Sequence, residues 1–207
     1  MKFPKILLVC LLFYLRLPAQ NKMKTENLLD KDLSNWYKWL GVPHTSVSGL
    51  PASTPTGDGM NGIPLGLKDP KNVFSVITLG GEKVLRVTGE IYGGLTTKKE
   101  YENYHFQLKY KWGKKKWAPR SMLPRDMGIM FNLTGTNEDA FWSVFMMGLE
   151  CQISEGTSGD LFLVPNKTLT VFPFAEARVN DTGNWDPSSP WRDVGAKTKF
   201  RMVRRSK

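Results

Sequence analysis

The chain has 207 residues, a formal net charge of +10 and two cysteines, which allows one sandwich-sized domain with a real core. The basic excess is mild and is densest at Lys114-Lys115-Lys116 and from Lys197 to Lys207. No nucleic-acid motif accompanies it, so nucleic acid is not expected as a partner, and the clusters read as a solvated loop and tail.

The first residues, Met1-Lys2-Phe3-Pro4-Lys5, are a short basic start, Ile6 to Leu15 is an apolar run, and Leu17-Pro18-Ala19-Gln20 offers a small residue at its exit. This is the pattern of a secretory signal peptide, with cleavage expected near Ala19. The apolar run is about half of the ~20 residues that span a bilayer, so no transmembrane anchor is expected after cleavage. Cys10 does not fit a lipoprotein site, because Val9 stands where a small residue belongs and the cysteine lies inside the apolar run. The expected domains are therefore a signal segment, 1–19, and a single domain, 20–207. Loss of Lys2, Lys5 and Arg16 leaves 26 basic against 19 acidic side chains, or +7. Cys151 is then the sole cysteine, so packing rather than an internal disulfide must supply stability.

Helix signals are scarce. Leu28 to Leu40 is predicted to hold one short helix, capped by Asp30 or Asp32. Gly41 to Gly66, rich in Gly, Pro, Ser and Thr, reads as a long loop. Val73 to Ile77 and Val84 to Thr88 are predicted strands with a turn at Gly80-Gly81. From Tyr104 to Trp112 the aromatic and apolar residues Tyr104, Phe106, Leu108, Tyr110 and Trp112 alternate with His105, Gln107, Lys109 and Lys111. Such alternation predicts a half-buried antiparallel strand. A charged loop, Gly113 to Arg125, follows, of a length that suits a functional or surface excursion. Met127 to Leu133, Phe141 to Met147 and Gly148 to Ser154 are further predicted strands. In the last, Leu149, Cys151 and Ile153 face inward, and Glu150, Gln152 and Ser154 outward. Leu161 to Val164 and Thr168 to Phe172 are predicted to form a hairpin across Pro165-Asn166. Many short strands with turns between them indicate an all-β sandwich or barrel.

Glu150 and Gln152, two apart on one strand, project from the same face ~7 Å apart. An acid beside an amide suits a polyhydroxylated ligand, since both bond hydroxyls and the acid can move a proton. Glu155 follows where Gly156 permits a turn, and a bend there would swing it towards the same space. The competing reading is an ordinary solvent-facing sheet side. His105 shares the polar face of its strand with Gln107 and has an unperturbed pKa useful for catalysis, though a solvated surface histidine is the plainer alternative. No His-x-His, paired cysteines or calcium loop is present, and there is no nucleophile elbow, phosphate loop or dinucleotide fingerprint. The seven tryptophans are core or sugar-stacking candidates.

Several segments together resemble one family: Gly89-Glu90-Ile91-Tyr92-Gly93-Gly94-Leu95-Thr96-Thr97, Tyr101 to Gly113, Arg125-Asp126-Met127-Gly128-Ile129, and Glu150-Cys151-Gln152-Ile153-Ser154-Glu155-Gly156 with Gly159-Asp160-Leu161. They resemble the 3-keto-disaccharide hydrolases of exported bacterial proteins, over about Leu33 to Lys199. The resemblance implies a jelly-roll β-sandwich similar to concanavalin A-like lectins and glucanases, and a periplasmic or secreted location. It also implies a glycoside or oligosaccharide substrate, oxidised at C3 of the sugar, that is cleaved by hydrolysis or by β-elimination and hydration. It makes Glu150 the first acid–base candidate, with Glu155 and Asp126 as further acids. Gln152 and His105 would bind substrate, and Arg125, Lys109 or a divalent metal would face an enolate oxygen. The cofactor stays open, since no metal motif is present. Met127 departs from the small polar residue usual before Gly-Ile. The resemblance also implies further C-terminal strands after Lys207, so the expectation is an incomplete sandwich that folds poorly or is inactive. Two alternatives carry no chemistry: a carbohydrate-binding module on the same face, and a surface protein whose basic patch binds anionic glycans.

Overall fold

A computed structural model describes residues 24–168, 175–178, 180–181, 186–194 and 200–201. The expected signal segment and the second arm of the Leu161–Phe172 hairpin beyond residue 168 lie outside the described residues. The described chain is all-β, as a jelly-roll sandwich requires. Its strands are β1 (Trp36–Leu40), β2 (Phe74–Leu79), β3 (Glu82–Val87), β4 (Gly93–Thr97), β5 (Asp126–Thr134), β6 (Met147–Ser154), β7 (Thr157–Val164), β8 (Ala175–Arg178), β9 (Trp191–Val194) and β10 (Phe200–Arg201). All pairings are antiparallel: β1 with β4, β2 with β3, β8 with β9, and a four-stranded sheet in the order β10-β7-β6-β5.

The main apolar cluster gathers Leu33, Leu40, Val47, Val73, Phe74 and Ile91, with Trp36, Leu65, Val76 and Leu95 packed against it. These residues come from β1, β2, β4 and the segments beside them, so the core joins two ladders that share no backbone hydrogen bonds. The 41–66 loop is tied to it. Leu40 and Gly66 exchange backbone bonds of 2.8 and 2.9 Å, which satisfies polar groups beside a fully buried side chain.

The helix expected from Leu28 to Leu40 does not form. Asp30 accepts a bond from the Asn35 amide at 2.7 Å, and Asp32 one from the Ser34 amide at 3.1 Å. These local side-chain bonds compete with a helical ladder. Leu33 adopts φ 63°, which ends any right-handed turn, and Trp36 to Leu40 then find their backbone partners on β4. The β2–β3 hairpin follows the sequence closely: Gly80 and Gly81 take φ 59° and 83°, the paired positive angles of a tight hairpin turn.

Two further expectations are corrected. Tyr104 to Trp112 joins no ladder, and Tyr104, Phe106, Leu108 and Tyr110 are each 39–51% exposed. Alternation separates two faces but does not supply a neighbouring strand, and no described strand pairs with this one. Phe141 to Met147 is not a strand either. Phe141–Ser143 is a short 3-10 turn with Trp142 and Ser143 in the left-handed region, and only Met147 joins β6. Leu161 to Val164 is observed as the end of a longer strand, β7, which starts at Thr157 after a turn from β6 at Glu155-Gly156, where Gly156 has φ 91°.

Because Leu40 is wholly buried at the centre of the cluster, Leu40→Ala should destabilise the fold by about 2–5 kcal/mol in urea unfolding. Leu79→Ala, at a side chain 64% exposed, should change it by less than about 0.5 kcal/mol.

Candidate active site

The pairing of β5 with β6 sets Asp126 opposite Ser154, Gly128 opposite Gln152 and Met130 opposite Glu150. Side chains alternate along each strand, so these six residues share one face. The other face carries Leu149 and Ile153, both buried. The expected inward and outward sets of β6 are therefore those observed.

Glu150 leans diagonally across the pair and lies over Gly128. A Cβ built on Gly128 would fall 2.6 Å from the Glu150 Cδ. Only a residue without a side chain leaves that space. The carboxyl is thereby drawn down onto the sheet. Burial, and secondarily the charge of Asp126, push its pKa up to about 7. Desolvation disfavours the charged form, and a like charge adds to the penalty. Burial, then Glu150, also pushes the Cys151 thiol on the opposite face up, which makes it a poor nucleophile.

Asp126 is surrounded by donors. Arg120 approaches it at 3.1 Å, the Ser154 hydroxyl donates to it at 3.0 Å, and the Gln152 side-chain amide donates to it at close range. The same amide bonds the Ser154 hydroxyl at 3.2 Å. Arg120 also lies beside the Tyr92 phenol, which burial pushes up against the opposing effect of Arg120. One face thus holds a half-desolvated acid, a second carboxylate held by an arginine, an amide and a hydroxyl, and a tyrosine at the margin.

The other acid and arginine named from the sequence form a separate pair next to this face. Arg125 and Glu155 make a close ion pair, and the Arg125 amide donates to Glu155 at 3.1 Å. Lys116 adds a contact of 3.2 Å. The Arg125 backbone bond first, then the Lys116 bond, hold Glu155 below the usual carboxylate range. Arg125 also donates to the Lys114 carbonyl at 2.6 Å, which anchors the charged loop. Glu155 and Arg125 are therefore engaged with each other, and the guanidinium at Asp126 belongs to Arg120. His105 and Lys109 sit exposed on the unpaired 104–112 segment, and no hydrogen bond or ion pair joins them to Glu150 or Asp126.

Sequence reasoning missed Arg120, Tyr92, Gly128 and Ser154 as site residues. Tyr92 and Gly128 lie in the segments that carry the family resemblance, and Arg120 lies in the charged loop, but their roles depend on pairings between distant segments. Among the described residues, no group of three or more His, Cys, Asp or Glu side chains gathers to hold a metal. No helix among them is long and apolar enough to cross a membrane.

The all-β frame, with a sheet face that gathers an acid of raised pKa beside carboxylate, amide and hydroxyl groups, fits the class of jelly-roll sandwiches. More particularly, the chain belongs to the family of 3-keto-alpha-glucoside-1,2-lyase-like domains, whose family model matches residues 24–191. No curated protein and no solved structure matches the chain.

The raised pKa of Glu150 couples stability to pH. Between the ordinary value of 4.5 and about 7, the folded state holds a proton that the unfolded state has released, so stability falls as pH rises through this window and levels off above it. Wild type should lose up to about 3 kcal/mol across it in denaturant titrations. Glu150→Gln should lack this slope. Gly128→Ala should push the Glu150 carboxyl off the sheet towards water and flatten the same slope.

Proposed function

We propose that the protein cleaves glycosides oxidised at C3 of the sugar, with Glu150 as the general base. The observation that carries this is the Glu150 carboxyl, raised to about 7 on a face of hydroxyl-binding groups. A base with a pKa near the working pH combines enough of the ionised form with enough proton affinity. Family membership supplies the substrate class.

The C3 ketone acidifies the proton on C2. Glu150 takes that proton, and the C–H electron pair moves into the carbonyl to give an enolate. The enolate then reforms the ketone and expels the C1 substituent with its bonding pair, leaving a C1=C2 enone. The proton on Glu150 is available to the departing oxygen. Water adds at C1 and a proton returns to C2, so elimination followed by hydration equals hydrolysis. Arg120 is the donor assigned to the enolate oxygen, where fixed positive charge lowers the barrier most. Asp126, Gln152 and Ser154 are assigned to sugar hydroxyls. These residues all lie in the described part of the chain. The signal segment expected at residues 1–19 supports action in the periplasm or outside the cell.

Purified protein should release the aglycone of a 3-keto-glucoside and exchange C2 hydrogen for deuterium in heavy water. Glu150→Gln should lower turnover by about 10²–10⁴-fold. Wild-type turnover should rise with pH through about 7, since a base must be ionised to act. Undiminished turnover in Glu150→Gln would remove Glu150 from the mechanism. Sugar binding without turnover in wild type would instead favour a carbohydrate-binding module.

A further inference from the structure

Tyr92 is held firmly on two sides. Its carbonyl accepts the Gly41 amide at 2.8 Å. Its neighbours in the chain are the buried Ile91 and Gly93, and a Cβ on Gly93 would lie 2.6 Å from the Leu40 side chain and from the Trp39 carbonyl. The backbone at Tyr92 is thus pressed against the core. Its ring stacks on Trp142, with centroids 5.0 Å apart and planes 27° from parallel. That indole sits on a strained turn, since Trp142 and Ser143 take φ 59° and 51°, both in the left-handed region. Such strain clusters at functional sites and persists only where the surroundings over-determine it. Here the Trp39 indole donates to the Ser143 carbonyl at 2.9 Å, and the buried Val144 packs where Gly41 has no side chain. Both restraints come from residues 39–41, which also supply the amide that holds Tyr92. The turn, the indole and the tyrosine are therefore one rigid unit.

The phenol of that unit lies beside Arg120. Arg120 meets Asp126 at 3.1 Å and the Pro124 carbonyl at 3.3 Å, both through Nη2. A guanidinium carries five N–H donors and no acceptor, so donors remain on it for a ligand. The phenol oxygen can accept from Arg120 but cannot give its hydrogen to it, and among the described residues none accepts that hydrogen. Burial holds the phenol above its ordinary pKa of 10.0, so the hydrogen stays in place near neutral pH. An O–H and a guanidinium fixed side by side suit one oxygen that gains negative charge.

We infer that Tyr92 is a second catalytic donor, which together with Arg120 holds the C3 oxygen of the sugar as it becomes an enolate. The inference rests on the proposed cleavage of 3-keto-glycosides. Tyr92 donates a hydrogen bond and transfers no proton. The electron pair of the broken C2–H bond arrives on the C3 oxygen between the two donors, and it returns to the ring when the C1 group leaves. The bond strengthens as the charge grows, so its loss falls on kcat rather than on KM.

The test is Tyr92→Phe, which keeps the ring and its stack on Trp142 and removes only the hydroxyl; a thermal melt checks the fold. The substrate is the 3-keto form of anhydroglucitol, which has only hydrogen at C1 and so nothing to expel. Exchange of its C2 hydrogen for deuterium in heavy water reads enolate formation alone. The kcat of exchange should fall about 10²-fold in Tyr92→Phe, the size of losing one oxyanion donor, with KM little changed. Undiminished exchange in the folded variant, or a loss confined to KM, would overturn the assignment. A fall in exchange supports the donor even if wild type cleaves no glycoside, which separates the two readings. If wild type neither exchanges nor cleaves, titration calorimetry with the same keto sugar decides. Tyr92→Phe should then bind it about fivefold more weakly, as expected for one hydrogen bond, and equal binding, or no binding to wild type, would overturn the assignment.

Discussion

Much of the site depends on one close approach, that of the Glu150 carboxyl to Gly128. A two-stranded antiparallel pair brings diagonal neighbours within reach of long side chains, and the missing Cβ of Gly128 lets the carboxyl settle against the sheet. This is a cost that the fold carries. The group loses water and sits near a second carboxylate, so its charged form is disfavoured. Donors would relieve that cost, yet the surrounding donors are directed to Asp126: Arg120, Gln152 and Ser154 all bond it. Two carboxylates on one face thus take different environments, Asp126 rich in partners and Glu150 poor in them.

The rest of the architecture can be understood as what keeps this pair in register. A slip of one residue between β5 and β6 would send Glu150 to the apolar side. The turn at Glu155-Gly156, the Arg125–Glu155 ion pair and the Glu155 amide bond to the Arg125 carbonyl at 2.8 Å clamp the end of the two strands nearest Asp126. Lys114 and Lys116 draw the charged loop onto the same clamp, and that loop delivers Arg120. Arg125 and Glu155, named separately from the sequence as site candidates, form in the structure an ion pair that fastens the strands beside the face. At the far margin, Tyr92 follows β3 by five residues, next to the buried Ile91, so the main core fixes the tyrosine that borders the site.

The β-class and the two-faced character of β6 were legible in the sequence, because alternation is a local property and burial of Leu149 and Ile153 demands it. Glu150 and Gln152 followed from the same alternation. The hairpin at Gly80-Gly81 was legible for the same local reason. What was not legible depends on partners. The strongest alternation in the chain, Tyr104 to Trp112, has no strand beside it among the described residues, and Leu28 to Leu40 gave way to β4 pairing. Arg120 rather than Arg125 reaches Asp126, because loop conformation, not spacing, decides which guanidinium arrives. Gly128 looked like a family motif residue and is in fact the floor under the acid. Trp142 sat inside a predicted strand, and its left-handed backbone is held by local contacts from Asn137 together with Trp39 and Gly41, which are distant in sequence.

The central claim is that this face holds Glu150 far from its ordinary ionisation. The most direct measurement is the carboxyl carbon shift of Glu150 in labelled protein, followed by NMR across the pH range in which the protein stays folded. The account predicts a midpoint of about 7, moving down when Asp126 is replaced by Asn. A midpoint at the ordinary 4.5, unmoved in Asp126→Asn, would contradict it.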